Sequence, residues 1–308
     1  MNYIIGGGFV GLLARDILGP GYSIIPIGKS RFYSHKPPVA DDFIIRDEAI
    51  DDYMNQFAFM PVYHKIGYSI AGQITYNHDL ALDAWLHKKF GDDIPSHADQ
   101  YMRSHTEFFV YGDCSEIYTR LKNRYKEEMI SNHQKYGVVT SISNHVIKTE
   151  TGASIEYDNV VSTVPLNVIT GWLGKETKLP VSDVWCYHLK TDKLDFEGAN
   201  GLLVCDPEIE GIYYANKISN DNYILYSNKK IEYPGQLFHS LVGDFVLIGE
   251  INIPEAMPRG DKPKPASFSD GYLMAMLEDN GVTPVGSCAE WDDCLDIGSV
   301  IKKLIRMK

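Results

Sequence analysis

Residues 4–21 read IIGGGFVGLLARDILGPG. Gly6, Gly8 and Gly11 have the spacing G-x-G-x-x-G. The apolar run Asn2 to Ile5 before them reads as a buried strand. Phe9 to Leu18 after them has helical spacing, with Val10, Leu13, Ala14 and Ile17 on one face. Gly19-Pro20-Gly21 ends that helix, because proline cannot continue one and glycine suits its cap. Tyr22 to Ile27 reads as a second strand, so residues 2–27 make the start of a βαβ unit.

In such a turn the first glycine permits the tight bend. The second lets backbone N–H groups approach a pyrophosphate, and the third lets helix and strand pack closely. The spacing therefore has two readings, a dinucleotide site or a bare tight turn. A dinucleotide site usually carries Asp or Glu at the end of the second strand to hold the ribose hydroxyls. Here Gly28 and Lys29 follow Ile27, and no carboxylate stands there. Lys29 and Arg31 are instead candidates to meet a phosphate.

The totals narrow the class. The 308 residues include 44% hydrophobic ones, enough for a sizeable core. The net charge of −12 argues against bulk attraction to nucleic acid or to an anionic membrane. The basic runs at 120–126 and 302–308 have helical spacing and read as solvated helix faces. Cysteines at 114, 186, 205, 288 and 294 include no C-x-x-C pair, so no disulfide framework or zinc site is expected and a cytoplasmic location fits. The first residues lack the charged lead of a signal peptide, and no apolar run nears the roughly 20 residues that span a bilayer. The histidines lack metal-ligand spacing, so no metal is expected.

Further along, 36–38 (Lys-Pro-Pro) is extended, 79–90 is an amphipathic helix, and 114–135 is a long helix. Short strands follow at 138–142, 145–150 and 154–157. Asn159 to Val164 is a β-branched run that ends at Pro165. Strands are expected at 183–190, 201–205, 211–215 and 222–228. Residues 245–249 are apolar and lead to a Pro/Gly/Lys-rich loop at 254–265. A helix at 268–279, a strand at 283–285 and a last helix at 297–307 complete the chain.

YDNVVSTVPLNVI at 157–169 resembles a signature of the FAD-dependent amine oxidase, protoporphyrinogen oxidase and UDP-galactopyranose mutase superfamily, D-x-V-I-S-T-I-P-L after a three-stranded meander. Asp158, Val160, Val161, Ser162, Thr163, Val164, Pro165 and Leu166 follow it. YGVVTSI at 136–142 resembles the family segment whose valine, here Val139, meets the adenine side by its backbone. VGSCAEWDDCLDIGSVIKKLI at 285–305 resembles the closing strand, turn and helix aimed at the flavin, with Gly286, Glu290 and Trp291 matching and Ser287 where the family usually has Arg. EFFVYGDCSEIYTRL at 107–121 resembles the segment and helix before the meander.

The resemblance implies an α/β protein. It would have a Rossmann-like FAD-binding domain, a parallel sheet plus β-meander, at 1–45, 107–170 and 244–308. An inserted α+β substrate domain would occupy 46–106 and 171–243. It implies FAD as cofactor, held by Gly6, Gly8, Phe9, Val10, Gly11, Lys29, Val139, Thr163, Pro165, Gly286, Glu290 and Trp291. The implied activity is an FAD-dependent oxidoreductase passing hydride from an amine or amino-acid-like group, with Tyr213 and Tyr214 as candidate residues at the substrate. Two alternatives stand. One is a flavin-dependent lyase or mutase without net oxidation, acting on a sugar nucleotide or on amino-acid-modified thymidine in viral DNA. The other is a flavin fold kept as a binding or assembly protein. The partner is a small molecule or a modified nucleotide, and no membrane is involved.

Overall fold

A computed structural model describes residues 1–27, 43–90, 107–112, 114–175, 181–191, 196, 198–219, 221–232, 244–258, 272–290 and 297–308. The chain forms two compact units that alternate along the sequence. The first comprises Met1–Pro61, Tyr111–Leu179 and Lys264–Lys308, and the second Val62–Val110 and Pro180–Pro263. Residues 46–61 thus lie in the first unit rather than with the substrate domain. The reason is packing: Ile50, Met54 and Phe57 share one buried cluster with Leu12, Leu13 and Ile17. Strand Val246–Pro258 lies in the second unit because it pairs along Val181–Lys190. The loop expected from 254 begins, in its first residues, as part of this strand.

The first unit is built on a parallel sheet. Its strand order is Val282–Pro284, Asn159–Ser162, Asn2–Ile5, Tyr22–Ile25. Tyr3, Ile4, Ile5, Val160 and Val161 are all buried, the pattern of strands covered on both faces. On one face lie the first helix, Phe9–Leu18, and the closing helix, Ile297–Met307. Leu12 and Leu13 of the first helix meet Val300, Ile301 and Leu304 of the closing helix in the shared cluster. Full burial of each such Leu or Ile contributes about 1.5–3 kcal/mol. The first helix ends at Gly19, whose φ of +79° suits glycine, and Pro20 follows. A separate antiparallel meander runs Val139–Ser143, Val146–Thr149, Ser154–Glu156. Its first turn places Asn144 and His145 at φ +49° and +59°, as a two-residue hairpin with the I′ twist requires.

The long helix, Cys114–Tyr136, covers the edge strand Tyr22–Ile25 with side chains. Glu128 Oε1 accepts the outward N–H of Ile24 at 2.9 Å, and Asn132 Nδ2 donates to the Ile24 carbonyl at 2.8 Å. These two residues lie one helical turn apart and stand where a further strand would pair. Arg15 Nε also meets Glu128, at 3.0 Å. The basic run at 120–126 is not a solvated face throughout, because Tyr125 turns inward to the carboxylate of Asp16, which the exposed Arg124 also meets.

The second unit is a largely antiparallel sheet in the order Val246–Pro258, Val181–Lys190, Asn222–Ser227, Ile212–Ser219, Gly201–Val204, Pro61–Ile70, Glu107–Gly112. The Gly201–Val204 and Pro61–Ile70 pair is parallel. One face carries an apolar cluster of Tyr187, Leu189, Leu202, Ile212, Ala215, Tyr223 and Leu225. Part of the other face is covered by the helix His78–Phe90, through Ala81, Trp85 and Leu86 against Tyr68 and Cys205.

Candidate functional site

The glycine turn sits where the parallel sheet reverses its order. From Asn2–Ile5 the chain goes first to Tyr22–Ile25 on one side, and later to Asn159–Ser162 on the other. In open parallel sheets a ligand crevice forms at the carboxyl ends of the strands flanking such a switch. Gly6 and Thr163 occupy those ends. Gly6 adopts φ +120°, and its N–H donates to the Ile25 carbonyl at 3.0 Å. A Cβ on Gly6 would stand 2.2 Å from Thr163 Oγ1. The Thr163 hydroxyl in turn donates to the Ile5 carbonyl at 3.2 Å.

The three motif glycines divide the work. A Cβ on Gly11 would stand 2.0 Å from the Gly6 carbonyl oxygen, so Gly11 exists to let the helix lie on the turn. A Cβ on Gly8 would meet no atom within 4 Å. Gly8 caps the first helix in an extended conformation with no side-chain cap, and the first helical turn carries no acidic residue. The first N–H groups of that helix have no intrahelical partner, and the helix dipole adds positive potential there. The result is an open cradle for an anionic group, bounded by backbone.

Other residues of the implied cofactor set gather at the same edge. Gly286, at φ +102°, follows strand Val282–Pro284, and a Cβ on it would lie 3.3 Å from Val10 Cγ1. The Gly286 N–H donates to Glu290 Oε1 at 3.0 Å. Lys303 Nζ lies 2.6 Å from Glu290 Oε2 and 3.0 Å from the Pro284 carbonyl oxygen. Pro165 caps the short helix Leu166–Trp172 just beyond Thr163. Ser162 is fully buried, and its hydroxyl makes no hydrogen bond among the described residues. Phe9 is buried edge-on to Tyr118, with ring centroids 6.1 Å apart, so its side chain is core and only its N–H faces the cradle. Val139 is buried at the start of the meander. Lys29, Arg31, residues 36–38 and Trp291 lie outside the described residues.

Sequence reasoning passed over Lys303, reading the basic run at 302–308 as solvated. Lys302 and Lys303 instead bond Asp47 and Glu290. The available signal was their position on the helix, beside the apolar positions Val300, Ile301 and Leu304.

In the second unit, Tyr214 and Tyr213 separate. Pairing shifts register between Ile212 and Tyr214, leaving Tyr213 at the bulge, where its carbonyl accepts Trp85 Nε1 at 3.1 Å. Tyr214 lies opposite the apolar face, its ring 5.5 Å from that of Tyr226 and its hydroxyl directly over Gly201. Buried Asn216 and His64, the latter 5.4 Å from the Phe108 ring, belong to the same alternation. Tyr223 belongs to the apolar cluster instead.

Among the described residues no group of His, Cys, Asp and Glu has the arrangement of a metal site. No helix among them is long and apolar enough to cross a membrane. A cleft of about 480 Å³ lined by Asn144, His145, Glu156, Tyr157 and Asp158 lies at the amino ends of the parallel strands, the edge away from the glycine turn.

No protein-family model matches the sequence, and no curated protein matches it. Solved structures do match. Reduced UDP-galactopyranose mutase is 13% identical with a TM-score of 0.65, over 98% of this chain and 91% of that one. The CLA-producing fatty acid isomerase from P. acnes is 11% identical with a TM-score of 0.61, over 99% of this chain and 97% of that one. The L-amino acid deaminase from Proteus vulgaris, with its specific insertion sequence deleted, is 13% identical with a TM-score of 0.52, over 99% of this chain and 88% of that one. Over nearly its whole length the chain therefore has the fold shared by a mutase, an isomerase and a deaminase, the fold that its sequence resemblance implies.

Proposed function

We propose that the chain is an FAD-dependent oxidoreductase that takes hydride from an amine or amino-acid-like group. The observation that carries the reading is the cradle at Gly8. Room is left at the one motif glycine where a ligand must come close, while the other two are filled by the protein itself. The N–H groups of Phe9, Val10 and Gly11 would hold the diphosphate, with Thr163, Pro165, Val139 and Gly286 around the crevice. FAD, when bound, supplies the hydride acceptor. The protein's part is to bind, orient and exclude water. A neutral amine gives up hydride without a strong general base, so a substrate face built from Tyr214, Tyr226 and Asn216 is adequate to the task. The fold is one that an amino-acid deaminase shares with a mutase and an isomerase, so it accommodates the amine reading.

The test is the visible spectrum of the purified protein with and without added FAD. Bands at about 375 and about 450 nm are expected, the signature of an oxidised flavin. Anaerobic addition of amines and amino acids should then bleach them. A yellow protein that no amine bleaches rejects amine oxidation in favour of a lyase or mutase reaction. A colourless protein that takes up no FAD rejects the cofactor itself. Gly8→Val should fold as the wild type does, since its side chain enters open space, and should lose at least about a hundredfold in FAD affinity through obstruction of the close approach. Stoichiometric FAD in that variant would remove the cofactor from the glycine turn.

A further inference from the structure

We propose that Lys303 is a cation this crevice offers to the diphosphate of a bound dinucleotide, with Glu290 as its exchangeable counter-ion. The proposal rests on the reading that FAD binds at the glycine turn.

Three observations support it. First, the ammonium is in the right place. Lys303 Nζ lies 3.0 Å from the carbonyl of Pro284, the last residue of its strand. Pro284 pairs with Ser162, and Ser162 with Ile5, the residue before Gly6. Two strand spacings of about 4.8 Å separate the lysine's anchor from the turn. Gly286, two residues on, already packs against Val10 in the first turn of the first helix.

Second, the described residues around the crevice bring it little other positive charge. A diphosphate brings two negative charges, whereas a helix N-terminus supplies about half a positive one. Position 287, where the resemblance has Arg, is serine. Other ion-paired cations of this unit are bonded elsewhere: Arg15 to Glu128, Arg124 to Asp16 and Lys302 to Asp47.

Third, the present partner can be exchanged. The Lys303–Glu290 pair is part exposed, 35% and 20%, and pairs of that kind are easily broken. Lysine is a compact charge on a flexible stem with three rotatable donors, so it can turn from carboxylate to phosphate without moving its helix. Glu290 has a second tether, the Gly286 N–H, and would stay behind when Lys303 turns. Its carboxylate then stands as a like charge close to the diphosphate and opposes binding.

This assignment makes the two partners act in opposite directions, which a merely structural clamp would not do. FAD affinity would be measured by flavin fluorescence quenching on the full-length protein freed of FAD, at low salt and at high salt. Lys303→Met should weaken binding by about tenfold and flatten its salt dependence, and Lys303→Arg should restore most of both. Glu290→Gln should tighten binding a few-fold, because it frees the ammonium and removes the like charge. ADP, which has the diphosphate and no flavin ring, should lose the same factor in Lys303→Met when it competes with FAD. Weaker binding in both Glu290→Gln and Lys303→Met would make the pair a clamp and overturn the proposal. So would an unchanged affinity and salt slope in Lys303→Met. Failure of the underlying reading looks different: the wild-type protein itself takes up no FAD.

Discussion

The two units place their chemistry-bearing residues by different means. In the first, the crevice is made of backbone: a reversal of strand order, three glycines, a helix start without a side-chain cap and the positive φ of Gly286. In the second, the candidate face is made of side chains that alternate along a sheet and are set apart by a bulge at Tyr213. Backbone demands are specific to a few residue types at fixed spacings. Side-chain faces can be built from many. A clash at a glycine should therefore have very different consequences in the two units.

Gly11→Val tests that difference at its largest. Its Cβ would be placed 2.0 Å from the Gly6 carbonyl oxygen, and neither the turn nor the helix can yield without breaking the shared core of Leu12, Leu13 and Ile17. Loss of the folded first unit is expected, seen as loss of the cooperative thermal transition by circular dichroism. Gly8→Val, three residues away, should keep that transition and lose only FAD. If both variants fold, or neither does, the division of labour between the two glycines is wrong.

The same contrast explains what was legible beforehand. The βαβ start and the place of the glycine turn could be read from IIGGGFVGLLARDILGPG, because backbone geometry restricts which residues serve there; the closing helix was legible at 297–307, and the parallel sheet with its meander was what the family resemblance implied. The unit boundaries were less legible. Helix Glu48–Asn55 joins the first unit through Ile50 and Met54, with Tyr53 packed against the same cluster, a signal that polar neighbours dilute. Tyr213 and Tyr214 stood together as candidates, because alternation puts only one of them on a given face and can neither choose between them nor reveal a bulge. Lys303 was hidden for a related reason: a lysine in a basic run shows nothing of the strand-end carbonyl it will reach.

A smaller effect is expected at the edge of the first unit's sheet. Glu128→Ala removes the acceptor for the Ile24 N–H and the partner of Arg15, both part buried. An unmet backbone donor and a stranded guanidinium should together cost about 2–4 kcal/mol in urea unfolding. A cost below about 0.5 kcal/mol would mean that water replaces the carboxylate and that the long helix does not cap the strand.

In the second unit Gly201→Ala is the counterpart of the Gly11 variant. Its Cβ would come within 2.6 Å of the Tyr214 hydroxyl, the far end of a side chain and not backbone. Tyr214 can swing aside, so the expected cost is about 1 kcal/mol, the lower range for overpacking. The readout that matters is a changed steady-state KM for the substrate with FAD affinity untouched. A collapse of folding here, as for Gly11→Val, would erase the distinction between the two units.

The last effect is one of pH, from a second lysine that caps a strand end. Lys88 donates to the main-chain carbonyl of Asp206, much as Lys303 does to Pro284. Lys303 meets a carboxylate, whereas the carboxylate oxygens of Asp206 are taken up by the Ser69 hydroxyl and the Gly72 N–H. Burial therefore dominates at Lys88 and pushes its amine from the usual 10.5 down to about 8, with Asp206 only partly opposing. Between those two values the unfolded chain holds a proton that the folded chain has released, so this group makes stability rise with pH across that window. Burial pushes the adjacent Cys205 thiol the other way, from 9.0 up to about 12, and its contribution falls with pH over that range. In the wild type the two oppose each other above about pH 9. Lys88→Met removes the rising component and also the nearby ammonium that restrains Cys205, so only the fall remains. The stability difference between wild type and variant, from urea midpoints at several pH values, should grow in favour of the wild type between about pH 8 and 10.5. A difference that does not vary with pH would mean that Lys88 stays solvated, and that the second unit does not bury its lysine at the strand end.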